Sequence, residues 1–199
     1  MDFKIGNCRV CISPLFAVML CVILLVDRAG IMLFGLISVA IHETGHLVFM
    51  FMTKKYPEKV VFQLGGIIIK SSGFSGYTQD LLVALGGCFF NFVFFVVSAL
   101  AYFKFADEKL LIFSASNFGL MFFNILPVNG LDGMDIIKLS LLRRYSPDKV
   151  KRICSAISLS FLVLSIISAV LAVFYFQMNA TIIICFLYLL ILTLIGIKS

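Results

Sequence analysis

The chain has 199 residues, of which 62% are hydrophobic and 13% charged, with a formal net charge of +6. Soluble domains hold roughly 45–50% apolar and about 25% charged residues, so this composition excludes an ordinary cytosolic enzyme, a disordered chain and a nucleic-acid module. A globule of this length has too little interior to hide so much apolar surface, which leaves lipid as its outer solvent.

A helix crosses a bilayer in roughly 20 apolar residues. Six stretches qualify, at residues 10–26, 29–52, 81–103, 110–126, 153–176 and 180–197. The expected fold class is an all-α polytopic membrane protein with about six transmembrane helices and a short membrane-associated β-hairpin. Lys4 and Arg9 precede the first stretch as they would in a signal peptide, but Asp27-Arg28 follows it without a small-residue cleavage site. It is expected to stay as a helix. Cys8 and Cys11 make a CxxC, yet there is no second pair and both histidines lie elsewhere, so it is read as neither redox-active nor metal-binding. Cys21, Cys88 and Cys185 sit in apolar runs, where a thiol behaves as a small hydrophobe.

The second stretch contains His42-Glu43-Thr44-Gly45-His46. Ionisable side chains inside a membrane helix are costly, so they face the bundle interior and mark function by default. Two histidines four residues apart share a helical face and can bind one ion, with Glu43 beside the first to reach water on it. The chain places both of its histidines and one of its three glutamates in this HExxH. A pair of core histidines is the bland alternative.

Between the second and third stretches, residues 60–77 carry β-branched and aromatic residues around Gly65-Gly66, with Gly73 and Gly76 beyond. This predicts a hairpin at or dipping into the cytoplasmic surface. After the fourth stretch, Pro127, Gly130 and Gly133 break the helix across residues 124–135. Irregular backbone at membrane depth survives only beside protein or a water-filled cavity. Residues 143–152, with Arg143, Arg144, Lys149, Lys151 and Arg152, read as a cytoplasmic turn that fixes topology. With the N-terminus on one side, that side's loops hold thirteen basic residues: Lys4, Arg9, Lys54, Lys55, Lys59, Lys70, Lys138, Arg143, Arg144, Lys149, Lys151, Arg152 and Lys198. The other side keeps Arg28, Lys104 and Lys109. The positive-inside rule therefore puts both termini in the cytoplasm.

Catalytic zinc takes three protein ligands and leaves a fourth position to water. No third histidine exists, and Cys88 lacks polar surroundings. Asp132, flanked by glycine in the broken segment, is the preferred third ligand; Asp135, nearer the basic loop, is its competitor. Zinc lowers the pKa of bound water toward about 7 and polarises a carbonyl, and Glu43 would accept the water proton and pass it to the leaving amine. Asn124 is the best placed amide to help hold the oxyanion. This donor set points to peptide-bond hydrolysis, against two rival classes: an ion or metal transporter using the same buried site, or a non-catalytic membrane scaffold.

His42-Glu43-x-x-His46, the segment Asn124-x-x-Pro127-x-x-x-Leu131-Asp132-Gly133 and the element Gly86-Gly87-x-x-x-Asn91 together resemble the site-2 protease family of intramembrane zinc metalloproteases, more narrowly its sporulation-type branch that processes a pro-sigma factor. Order and separation match over residues 30–140. The family commonly has proline two residues before the aspartate and a second glycine after Asp-Gly, where this chain has Gly130 and Met134. The resemblance implies His42, His46 and Asp132 as ligands of one zinc, Glu43 as general base and Asn124 as a residue near substrate. It further implies a single membrane-metalloprotease domain over 1–199, with two additional helices in 153–197 and without the PDZ or CBS domains of many relatives. The implied location is a bacterial cytoplasmic membrane. The implied partners are a membrane-protein substrate, the lipid bilayer and a membrane regulatory protein, with no nucleic acid.

Overall fold

The computed structural model describes residues 2–5, 8–27, 30–63, 66–71, 76–176, 186, 187, 189–191 and 193. Most of the sixth predicted stretch lies outside these residues, as do Gly65, Gly73 and Cys185. The chain divides into two compact units, Met1–Phe122 and Phe123–Ser199.

The first unit opens with strands. β1 (Asp2–Ile5) and β2 (Cys8–Ile12) pair antiparallel, Asp2 opposite Cys11 and Ile5 opposite Cys8. Ser13 then leads straight into α1 (Pro14–Val26), whose first position holds a proline, the one place in a helix where its missing N–H is harmless. The single helix expected over 10–26 is thereby corrected: residues 10–12 are strand, because they pair in parallel with β3 (Pro57–Gln63), Arg9 opposite Lys59 and Ile12 opposite Phe62. What remains of α1 is 13 residues, about 20 Å of helix against a hydrocarbon layer of about 30 Å. β4 (Gly66–Ser71) returns antiparallel to β3, with Phe62 opposite Ile67, and completes a sheet of order β1-β2-β3-β4. The predicted hairpin is thus half of a four-stranded sheet, and its predicted far end is helix, since Tyr77 begins α3 (Tyr77–Phe105). Along β2, residues three apart lie on opposite faces, so Cys8 and Cys11 share none.

Among the described residues, three helices are long and apolar enough to cross a membrane: α2 (Ile31–Met52), α3 and α6 (Pro147–Phe176). Their outward side chains suit lipid rather than water; Phe103 and Phe174 are 82% and 81% exposed. Asp27 Oδ2 accepts the Leu33 N–H at 2.8 Å and so satisfies one free donor at the start of α2. α2 and α3 run antiparallel with their backbones in close approach at Gly45 and Gly86, where a Cβ on either would strike the other's main chain. Small residues at such a crossing are how membrane helices gain packing without a hydrophobic drive. Farther along, Phe49 meets Phe89 with ring centroids 6.0 Å apart, and Lys55 Nζ reaches Asp80 Oδ1 at 2.7 Å. α4 (Glu108–Ile125) joins this group where Ser114 Oγ donates to the Phe95 carbonyl at 3.2 Å and Phe113 packs on Phe34.

The second unit begins in the last turn of α4. The helix breaks over residues 126–131 as predicted, with Gly130 at φ +94°. α5 (Asp132–Leu142) starts earlier than the sequence suggested, so Asp132 is its first residue and not part of the irregular segment. Val128 anchors the break, fully buried in a cluster with Leu162 and Leu189, while the Asn129 N–H donates to Ser158 Oγ at 3.1 Å. Gly133 is required here because a Cβ would run into the Ile125 carbonyl. Met134, Val150 and Cys154 form a second cluster joining α5 to α6. The basic stretch is a turn only as far as Ser146. From Pro147 it is helix, again with proline at the start, so Lys149, Lys151 and Arg152 ride on the first turns of α6.

Candidate metal centre

His42 and His46 occupy one face of α2, as their four-residue spacing requires. Their rings stand nearly perpendicular, at 80°, and the two Nε2 atoms lie 3.1 Å apart. Two imidazoles on a tetrahedral zinc with bonds of about 2.0–2.1 Å would hold their nitrogens roughly 3.3 Å apart. The observed separation is close to that. His46 Nδ1 lies 2.7 Å from the Val83 carbonyl oxygen, which can only accept, so the proton sits on Nδ1 and the Nε2 lone pair faces His42. An outer-shell carbonyl of this kind fixes the tautomer and ring orientation that a metal ligand needs. At the facing nitrogens, either His42 Nε2 donates its proton to His46 or a cation takes that proton's place.

Space for a cation comes from α3. A Cβ at Gly87 would lie 2.5 Å from His46 Nε2 and 2.6 Å from His42 Nε2. Because residue 87 has no side chain, the volume beside both nitrogens stays clear. The residues present therefore fit a divalent ion in spacing, tautomer and room.

The other expected site residues stand as follows. Glu43, half-buried, adjoins His42 and is turned about 100° around α2 from it. Asp132 and Asn124 belong to the second unit: Asp132 is half-buried at the start of α5, and Asn124 is half-buried in the last turn of α4. Asp135, the competing carboxylate, is exposed. The structure thus brings the two histidines together within the first unit. Sequence reasoning missed the Val83 carbonyl, which as main chain leaves no residue-type signal, and Ser158, which is fully buried and holds the Asn129 N–H. A serine in a long apolar helix was the available hint for the latter.

No family model matches the sequence, and no curated protein matches it either. Among solved structures, the fold is similar to that of the "Site-2 Protease from Methanocaldococcus jannaschii", with a TM-score of 0.69 and 21% sequence identity over 95% of this chain and 91% of that one.

Proposed function

We propose that this protein is an intramembrane zinc-dependent endopeptidase of the site-2 protease type, which hydrolyses a peptide bond in or near the transmembrane segment of a membrane-associated protein. The observation that carries the reading is the pair of Nε2 atoms 3.1 Å apart, one ring tied to the Val83 carbonyl, beside the open volume at Gly87. His42, His46 and Asp132 offer two imidazole nitrogens and a carboxylate oxygen, a donor set that could hold a metal ion. In this reading Asp132 is the third ligand, the chain forms a single membrane-embedded domain, and both termini are cytoplasmic. The substrate would be a pro-sigma factor or a similar membrane-bound regulator, with a second membrane protein controlling access.

Zinc, when bound, supplies Lewis acidity and lowers the pKa of water at the site. Glu43 then accepts the proton from the attacking water and delivers it to the leaving amine. Asn124 donates from its amide to the carbonyl oxygen as charge builds there. The test is co-reconstitution of the purified protein with candidate single-span substrates in sealed vesicles, with and without a zinc chelator. Zinc-dependent cleavage products support the assignment; metal flux without cleavage favours the transporter.

The choice of third ligand has its own test. Asp132→Asn should lower bound zinc from one per chain to a small fraction and abolish cleavage, whereas Asp135→Asn should leave the metal content unchanged. The reverse pattern by metal analysis would transfer the role to Asp135.

A transmembrane helix hides its peptide bonds, because every carbonyl is paired along the axis. Substrate must bind extended. β4 is the last strand of the sheet order, and strand addition there would hold such a segment through main-chain hydrogen bonds. Proline at both Gly65 and Ile67 should therefore cut turnover by about tenfold or more while zinc stays bound. Undiminished turnover in that variant rules out the strand-addition role.

A further inference from the structure

Asn91 lies on α3, four residues after Gly87 and hence on the same helical face, one turn farther along. It is fully buried, and neither its amide nitrogen nor its carbonyl oxygen has a hydrogen-bond partner among the described residues. Other buried polar side chains on these helices are handled differently. Ser38 and Ser98 donate to the carbonyls of Phe34 and Phe94, four residues back, and Ser114 donates across to Phe95. Asn117 leaves only its Oδ1 without a partner because its Nδ2 donates to Phe113, whereas Asn91 strands both ends of its amide. Lipid offers no water to satisfy a stranded amide, so a membrane protein keeps one where a polar ligand arrives. Gly87 faces both histidines, and that places Asn91 about 6 Å along the helix from the metal pair.

A carboxamide carries one acceptor and a two-proton donor, which makes it complementary to a peptide group. In an extended chain rising roughly 3.3 Å per residue, about 6 Å separates peptide groups by one to two residues. We propose that Asn91 binds the main chain of the extended substrate, at the peptide group one or two residues from the bond being cut. This rests on the protease reading. Asn91 is a binding and positioning residue, separate from the histidine pair and Glu43, and it selects for unfolded backbone over helical backbone because only the former has a free N–H and C=O.

The experiment uses the full-length protein in detergent with a fluorogenic transmembrane peptide, and an analogue in which the amide one or two residues from the cleaved bond is replaced by an ester. Asn91→Leu, which keeps the number of side-chain heavy atoms and the branch at Cγ, should lower kcat/KM about 10- to 100-fold, chiefly through KM, with zinc content unchanged. Asn91→Asp should restore none of the loss toward the native peptide's carbonyl. The ester analogue should be a poorer substrate for the native protein at one of the two positions, and Asn91→Leu should cleave peptide and ester equally well. Unchanged kcat/KM in Asn91→Leu, zinc lost together with activity, or an ester penalty that persists in full in the variant each overturns the inference. The last of these marks a water-holding or packing role. If native protein and Glu43→Gln give the same products, the protease reading itself fails and this inference with it, an outcome distinct from Glu43-dependent cleavage that ignores residue 91.

Discussion

Replacing Gly87 by alanine should weaken zinc binding by more than about 100-fold, beyond the roughly 10- to 100-fold that loss of an outer-shell partner costs. In a helix interior, alanine is ordinarily the better residue by about 1 kcal/mol, so propensity alone predicts a gain in stability. The local packing reverses that sign for metal affinity. The added methyl would lie 2.5 and 2.6 Å from the Nε2 atoms of His46 and His42, closer than carbon and nitrogen tolerate, and those rings are not free to retreat. His46 is held from behind at the Val83 carbonyl, and α2 meets α3 backbone to backbone at Gly45 and Gly86. Gly35→Ala is the matching control, on the histidines' own helix but with nothing within 4 Å of the new methyl. Titration against a chromophoric chelator, with circular dichroism to verify folding, reads the difference. A Gly87→Ala protein that holds zinc as tightly as Gly35→Ala does would show that the metal lies elsewhere.

Glu43→Gln should remove substrate cleavage by about 10²–10⁴-fold, the range general-base catalysis supplies, while bound zinc stays at the native level. Glutamine matches glutamate in length and helix preference and differs in having no basic oxygen for a proton. Because Glu43 is on α2 but around the helix from the histidine face, its loss leaves the His42 and His46 donors in place. The same variant separates the three functional classes. A transporter would change its metal flux, and a scaffold would lose nothing that either assay reads. Only loss of product with metal retained agrees with a proton-handling carboxylate.

The parts of this molecule that were legible in its sequence are those written in local patterns. The histidine pair followed from a spacing of four, and α2 was expected at 29–52 and observed at Ile31–Met52. The break after Asn124 followed from Pro127 and Gly130. Hydropathy sees only the stretch that lipid must cover, and so it undersized α3 and α6. Both continue past the apolar window into Tyr77–Asp80 and into the charged turns after Pro147, where helix geometry persists without hydrophobic demand. β2 was invisible for another reason. Val10, Cys11 and Ile12 are as apolar as the helix that follows, and their partners Val60, Val61 and Phe62 are remote in the chain. The sequence also named the imidazoles without their surroundings: a main-chain carbonyl at Val83 has no letter of its own, and a stranded amide at Asn91 looks like any polar residue until its neighbours are known.

The parallel register of β2 with β3 bears on how the chain is made. Arg9 cannot meet Lys59 until α1 and α2 have both been synthesised, so the ribbon of β1 and β2 leaves the ribosome as an isolated two-stranded piece, a unit of marginal stability in water. Its consolidation waits for α1 and for α2, which carries both His42 and His46, to be made and for the chain to reach β3. The sheet then acts as a late clasp: once closed, it fixes the entrance and exit of the first helical pair together, and drawing one strand away pulls on both.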